Sequence, residues 1–239
     1  MDQSLALLHP ATGQIVVLHT LPVRLTHWLT ALAILIMVGS GWRIYDWEPI
    51  VPWLRFPFWM TLGGEYVRSQ EVHNETGLAG ALQWHFAGMW LLAASFGIYA
   101  LHSLVSGHFR RSLLPVTPAL VGHDLKAALT GHLEHRVGVR NAVQKLLYIG
   151  VIAAITLMLL SGLAIWKPVQ LYPLTWLFGG FDVARIVHFA GMSAIVGFVV
   201  VHVALVVLVP KVLPPMITGR ARIARLDART ACVDEGAGA

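Results

Sequence analysis

The chain has 239 residues, 56% of them hydrophobic and only 12% charged, with 17 Lys and Arg against 12 Asp and Glu. Soluble domains carry about 25% charged residues, and nine Trp add the amphipathic aromatic load that collects at lipid headgroups. This excludes a soluble globular enzyme, a disordered chain and a disulfide scaffold, and indicates a membrane protein. The single Cys, Cys232, lies in the polar tail, which rules out an intramolecular disulfide, a Cys-based zinc site and an iron–sulfur cluster.

The first twenty residues lack the apolar core of a cleavable signal peptide. They read as a cytoplasmic N-terminal segment (1–20), with the first membrane helix as the targeting signal. A spanning helix needs about 20 mostly apolar residues, and four stretches qualify: Leu21–Trp42, Gly80–Val105, Val143–Trp166 and Val183–Val209. Between the first two, Pro52–Leu62 is aromatic and broken by two Pro, and reads as an interfacial helix or loop, or as a plain connector. Pro118–Leu133 reads as an amphipathic helix on the inner surface. The expected fold class is all-α, an integral membrane four-helix bundle over 21–210 with an outer loop 43–79, an inner loop 106–142 and a basic cytoplasmic tail 211–239.

Orientation follows from Lys and Arg. Twelve lie at one end: Arg24, Arg110, Arg111, Lys126, Arg136, Arg140, Lys145, Lys211, Arg220, Arg222, Arg225 and Arg229. The other end has five, Arg43, Arg55, Arg68, Lys167 and Arg185, together with Asp46, Glu48, Glu65, Glu71 and Glu75. Both termini are therefore expected in the cytoplasm, with an acidic outer loop. This asymmetry, and not nucleic-acid binding, accounts for the basic balance of the chain.

Seven of the twelve His fall in loops. The run His132-Leu133-Glu134-His135 lacks the i, i+4 His pair of a zinc helix and reads as a solvated loop. The other five, His27, His85, His102, His188 and His202, fall inside spans, where an ionisable group is a functional hypothesis by default. His188 and His202 are fourteen residues apart, four turns less about 40°, so they share a helix face with about 21 Å between them. One helix thus presents an imidazole near each membrane surface, the arrangement that two haems stacked across a bilayer need. Helix direction puts His85 at the outer level with His188 and His27 at the inner level with His202, giving two bis-imidazole pairs. Without a C-x-x-C-H motif, such haems are held non-covalently. His102 is rotated about 100° off the His85 face. It is left out as a ligand but could bond to a propionate or a quinone.

Gly41 follows His27 at the same fourteen-residue spacing and leaves the first helix bare where it passes the outer porphyrin. Ser40-Gly41 is echoed by Ser161-Gly162. Haem propionates are anionic, and Arg24, Arg43, Lys167 and Arg185 flank the spans at suitable levels. Trp28, Trp42, Trp84 and Trp166 fit the aromatic belt.

The motifs Arg24-Leu25-Thr26-His27-Trp28 and Gln83-Trp84-His85, with His188 and His202, resemble the bacterial di-haem cytochrome b561-like superfamily. Asn141-Ala142-Val143-Gln144-Lys145, Ser161 to Pro168 and Pro214 to Arg220 are similar to the subgroup of cytochrome b subunits associated with thiosulfate reductase and hydrogenase, the group that accompanies periplasmic molybdopterin oxidoreductases. The resemblance covers residues 18–220. It implies two b haems, ligated by His27 with His202 and by His85 with His188, and electron exchange between membrane quinone and a periplasmic oxidoreductase subunit docked on the outer loops.

Two other readings compete. A free-standing superoxide:quinone oxidoreductase should have a positive outer mouth to focus anions, whereas the outer loop is net acidic. A His-dependent metal or proton transporter should have broken helices and polar residues at the midplane, whereas runs such as Ala153–Leu160 are apolar.

Overall fold

The computed structural model describes residues 15–17, 19–63, 75–107, 116–130, 141–210 and 213–222. Four helices in it are long and apolar enough to cross a membrane: α1 (Leu21–Trp47), α2 (Glu75–Val105, apolar from Gly80), α4 (Ala142–Trp166) and α6 (Phe181–Leu208). Shorter pieces complete the fold: α3 (Pro118–Leu129), α5 (Tyr172–Leu177), α7 (Leu213–Thr218), and the strands β1 (Ile15–Val17) and β2 (Arg220–Arg222). The four expected spans are present. The first runs five residues further than the sequence suggested, because Trp42 to Trp47 contains no Gly or Pro to stop it.

Helix starts follow from local chemistry. Pro22 occupies the first turn of α1, where a missing N–H costs no helical bond. Asn141 and Gln144 form a reciprocal capping box at α4, with Gln144 N–H donating to Asn141 Oδ1 at 2.7 Å. Gly180, with φ +107°, allows the tight entry into α6.

Pro52–Leu62 is a loop with one 3₁₀ turn, Phe58–Met60, folded back along α1. The Leu62 N–H donates to the Gly39 carbonyl at 2.9 Å, two turns below the end of α1. A Cβ on Gly39 would lie 3.1 Å from the Leu62 Cβ, so the bare helix surface admits this return. Upstream, the Val51 N–H donates to the Tyr45 hydroxyl, the Phe56 N–H to Asp46 Oδ1, and the Arg55 guanidinium to the Asp46 carbonyl.

At the opposite face, β1 and β2 pair antiparallel, with Val17 opposite Arg220. The Arg24 guanidinium donates to the Ile217 carbonyl, and Trp28 Nε1 donates to the Met216 carbonyl at 3.2 Å. The chain just before α1 is thereby fastened to the chain just after α6.

Helices α1 and α2 pack as one hairpin, α4 and α6 as another. Among the described residues, backbones come within 8 Å extensively inside each hairpin and hardly at all between them. A small apolar cluster joins the hairpins mid-bundle, with one buried residue from each helix: Ala33, Leu92, Ile155 and Ile195. Large apolar side chains such as Leu35, Trp90, Val200 and Val207 face outward, as lipid contact requires.

Pro118–Leu133 is helical as far as Leu129; residues 131–140 lie outside the described set. Helix α3 bonds to α4 through Asp124, whose Oδ2 accepts from the Ala142 N–H at 2.7 Å. That bond, with a second to His123, holds the Asp124 carboxyl below its ordinary value of 3.8. A lowered folded-state pKa contributes attachment that is fully present above the ordinary value and is lost as pH falls through the folded one. Spin labels on α3 and α4 should therefore report a fixed distance at pH 7 and a broadened one on acidification below 3.8. In Asp124→Ala the distance should already be broad at pH 7.

Candidate cofactor site

Two imidazole pairs bridge the hairpins. His85 on α2 faces His188 on α6 with ring centroids 6.3 Å apart and planes at 64°. His27 on α1 faces His202 on α6, also at 6.3 Å, with planes at 61°. An imidazole nitrogen sits about 2 Å from a bound metal, so two imidazoles holding one metal atom from opposite sides have ring centres roughly 6 Å apart. Both pairs match that spacing. The pairs lie at different depths, since His188 and His202 are about 21 Å apart along α6.

At the first level the ring orientation is fixed by hydrogen bonds. Ser40 Oγ lies 3.0 Å from His85 Nδ1 and donates its own proton to the Ile36 carbonyl at 2.6 Å. Ser161 Oγ lies 2.9 Å from His188 Nδ1 and donates to the Leu157 carbonyl at 2.7 Å. A hydroxyl has one proton, and here a helix carbonyl takes it, so each serine oxygen must accept from its histidine. Nδ1 is therefore the protonated nitrogen in both histidines, and Nε2 keeps its lone pair for a metal.

Glycines make the close approach possible. A Cβ on Gly41 would stand 3.4 Å from His85 Cε1, and one on Gly162 would stand 3.2 Å from His188 Cε1. The bare surface at Gly41, expected to clear a porphyrin, is filled by the imidazole of the neighbouring helix. Gly88 and Gly191 receive the Met37 and Met158 side chains, whereas a Cβ on Gly97, Gly150 or Gly197 would meet nothing within 4 Å.

The second level is built differently. His27 stacks on Trp28 at 5.2 Å and 7°, and His202 on Phe198 at 5.6 Å and 15°. Among the described residues no hydrogen bond orients either ring. His102 joins neither pair; it is exposed beside Pro22, Val23, Thr26, Ile98 and Tyr99. No group of three or more His, Cys, Asp or Glu is gathered for a metal ion among the described residues.

Each of the four flanking cations has a partner within the protein. Arg24 holds the Ile217 carbonyl. Arg43 lies over the Phe58 ring at 5.7 Å, and Lys167 over the Trp166 ring at 5.0 Å. Arg185 donates to the Glu48 carbonyl at 2.7 Å and lies 3.5 Å from Glu48 Oε1. Three buried polar atoms have no partner among the described residues, Ser103 Oγ and two N–H donors, Arg24 Nε and Trp42 Nε1. Arg24 is one turn from His27, and Trp42 adjoins Gly41. Trp42, read from sequence as a belt residue, stacks on Phe56 at 4.7 Å and turns its indole N–H inward. Both N–H donors suit an anionic group beside an imidazole pair.

Two imidazole pairs spaced for a metal, free Nε2 lone pairs on His85 and His188 and hairpins held apart fit a flat metal-bearing cofactor. The comparison with known families agrees. Residues 18–219 match the family model described as prokaryotic cytochrome b561. The chain belongs to this family. It is also 45% identical over 207 residues, 86% of this chain and 98% of the relative, to the "Putative protein-methionine-sulfoxide reductase subunit YedZ1" of Azospira oryzae. As a prokaryotic cytochrome b561, the chain is a multi-pass bacterial membrane protein that binds haem b and transfers electrons.

Sequence reasoning passed over the two serines as ligand-orienting groups. A signal for them existed. His85-Phe86-Ala87-Gly88-Met89 recurs as His188-Phe189-Ala190-Gly191-Met192, and each copy faces a Ser-Gly pair. Gly162→Val, which puts a branched side chain against the His188 ring, should lower the haem content of purified protein in a pyridine haemochrome assay. Gly97→Val, where a Cβ meets open space, should leave it unchanged.

Proposed function

We propose that this cytochrome carries two haems b, one between His85 and His188 and one between His27 and His202, and relays electrons between membrane quinone and a periplasmic redox subunit. The carrying observation is the pair of imidazole couples, each with ring centres 6.3 Å apart, at two depths of one bundle. Bound haem supplies a one-electron iron couple at each level. His85 with His188 and His27 with His202 would each hold one iron through neutral imidazoles, which would leave no open site for oxygen.

The excess of Lys and Arg at the terminus-bearing face puts that face in the cytoplasm, so His85 and His188 lie on the periplasmic side. The orphaned Arg24 Nε and Trp42 Nε1 are suited to propionates, as are Arg43, Lys167 and Arg185 after exchange of their present contacts. A quinone fits best near the inner pair, beside His102 and Arg110, the latter outside the described residues. The partner docks on the outer loops, Asp46–Glu75 and Lys167–Phe181, which carry Trp47, Trp53, Trp59 and Trp176; residues 64–74 of the first loop are outside the described set. Similarity to nearly the full length of a relative named as a reductase subunit favours a subunit over a free-standing superoxide oxidoreductase. A molybdopterin oxidoreductase is the partner class that the family motifs suggest.

Pyridine haemochrome should give two haems per chain, with low-spin ferric spectra. His85→Ala and His188→Ala should remove the same haem, His27→Ala and His202→Ala the other, and His102→Ala neither. One haem per wild-type chain, or loss of a haem in His102→Ala but not in His27→Ala, overturns the assignment. Quinol-driven reduction in vesicles tests the route. Normal-rate reduction of the outer haem in His27→Ala would exclude the inner quinone site.

A further inference from the structure

The two hairpins are structural copies of each other. Met37, Ser40 and Gly41 on α1 correspond to Met158, Ser161 and Gly162 on α4, and the pentapeptide from His85 on α2 corresponds to that from His188 on α6. The contacts repeat with the residues. Met37 packs at Gly88 as Met158 packs at Gly191. Phe189 stacks on Tyr45 at 4.6 Å, and the equivalent Phe86 packs on Trp166 at 5.1 Å. Leu92 and Ile195 of the mid-bundle cluster are equivalent as well. The outer imidazole pair therefore lies on a local twofold axis, and each hairpin supplies one histidine and one serine to it.

Serines in membrane helices commonly bond back to their own carbonyls and do nothing more. Ser193 is such a case, donating to Phe189. Ser40 and Ser161 differ in three respects. Both are fully buried, both accept from the Nδ1 of a histidine on the facing helix, and no such acceptor serves His27 or His202 among the described residues.

We propose that Ser40 and Ser161 are positioning residues that hold His85 and His188 in the Nδ1–H tautomer and strengthen both as electron donors to the outer iron. An acceptor at the remote N–H of a ligating imidazole fixes the ring and raises its basicity. A more basic ligand favours the ferric over the ferrous state, so the two serines act together to lower the midpoint potential of one haem and not the other. This rests on the two-haem reading above.

The test uses full-length protein in detergent, with haem content and the midpoint potential of each haem measured by redox titration. Wild-type protein with only one haem refutes the underlying reading before any variant is compared. Given two haems, Ser40→Ala and Ser161→Ala should each raise the outer potential. The double variant should raise it further, with the inner potential and Ser193→Ala unchanged. Alanine variants that keep both haems at wild-type potentials, or that shift both haems equally, overturn the proposal. Should the alanine variants lose haem, Ser161→Thr is compared with Ser161→Cys. The hydroxyl should hold the wild-type outer potential and the weaker thiol acceptor should raise it; equal potentials overturn the proposal.

Discussion

Hydrocarbon offers an imidazole no hydrogen-bond partner, and this constraint shapes the interior of the molecule. A histidine in the bilayer must find both a place for its proton and a use for its lone pair within the protein. Ser40 and Ser161 meet the first need at one level, because their own hydroxyl protons are already taken by helix carbonyls. The second need is directed across the bundle, toward the facing ring. The glycines beside the serines, the separation of the two hairpins and the sparse mid-bundle cluster all follow from keeping these rings opposed.

The match between the two hairpins explains why one level is symmetric and the other is not. In the outer pair each hairpin contributes the same position of its second helix. In the inner pair the first helix of one hairpin meets the second helix of the other. The equivalent positions across the local axis are Tyr148 and Tyr99, so a scaffold with two places for an inner imidazole pair has one. The two levels accordingly hold their rings by different means, hydrogen bonds in one and aromatic stacking in the other.

Much of this was legible in the sequence. Span length, the fourteen-residue spacing on α6 and alternating helix direction suffice to bring His27 opposite His202 and His85 opposite His188, because helix geometry converts sequence spacing directly into depth and facing. The Ser-Gly echo was visible, but its meaning was not. A serine in a membrane helix usually satisfies itself, and only the packing of α1 on α2 and of α4 on α6 brings its oxygen to a neighbouring ring. The same holds for Gly41, whose bare surface was assigned to a porphyrin and receives an imidazole. The return of Pro52–Leu62 along α1 depends on Gly39 two turns away, a non-local contact without periodicity to reveal it. The contacts of Arg24 and Arg185 with the carbonyls of Ile217 and Glu48 are non-local in the same way.

The fastening between the two ends of the bundle has a consequence for biosynthesis. Arg24 and the Ile217 carbonyl are 193 positions apart, and His202 belongs to the fourth of the described spans. The inner pair therefore cannot exist until that span has been inserted, and the short strands then close behind it. His85, inserted early, waits for His188 while already held by Ser40. The contacts thus carry an order: the first hairpin holds one ligand by itself, whereas the inner site needs both the first and the fourth described spans.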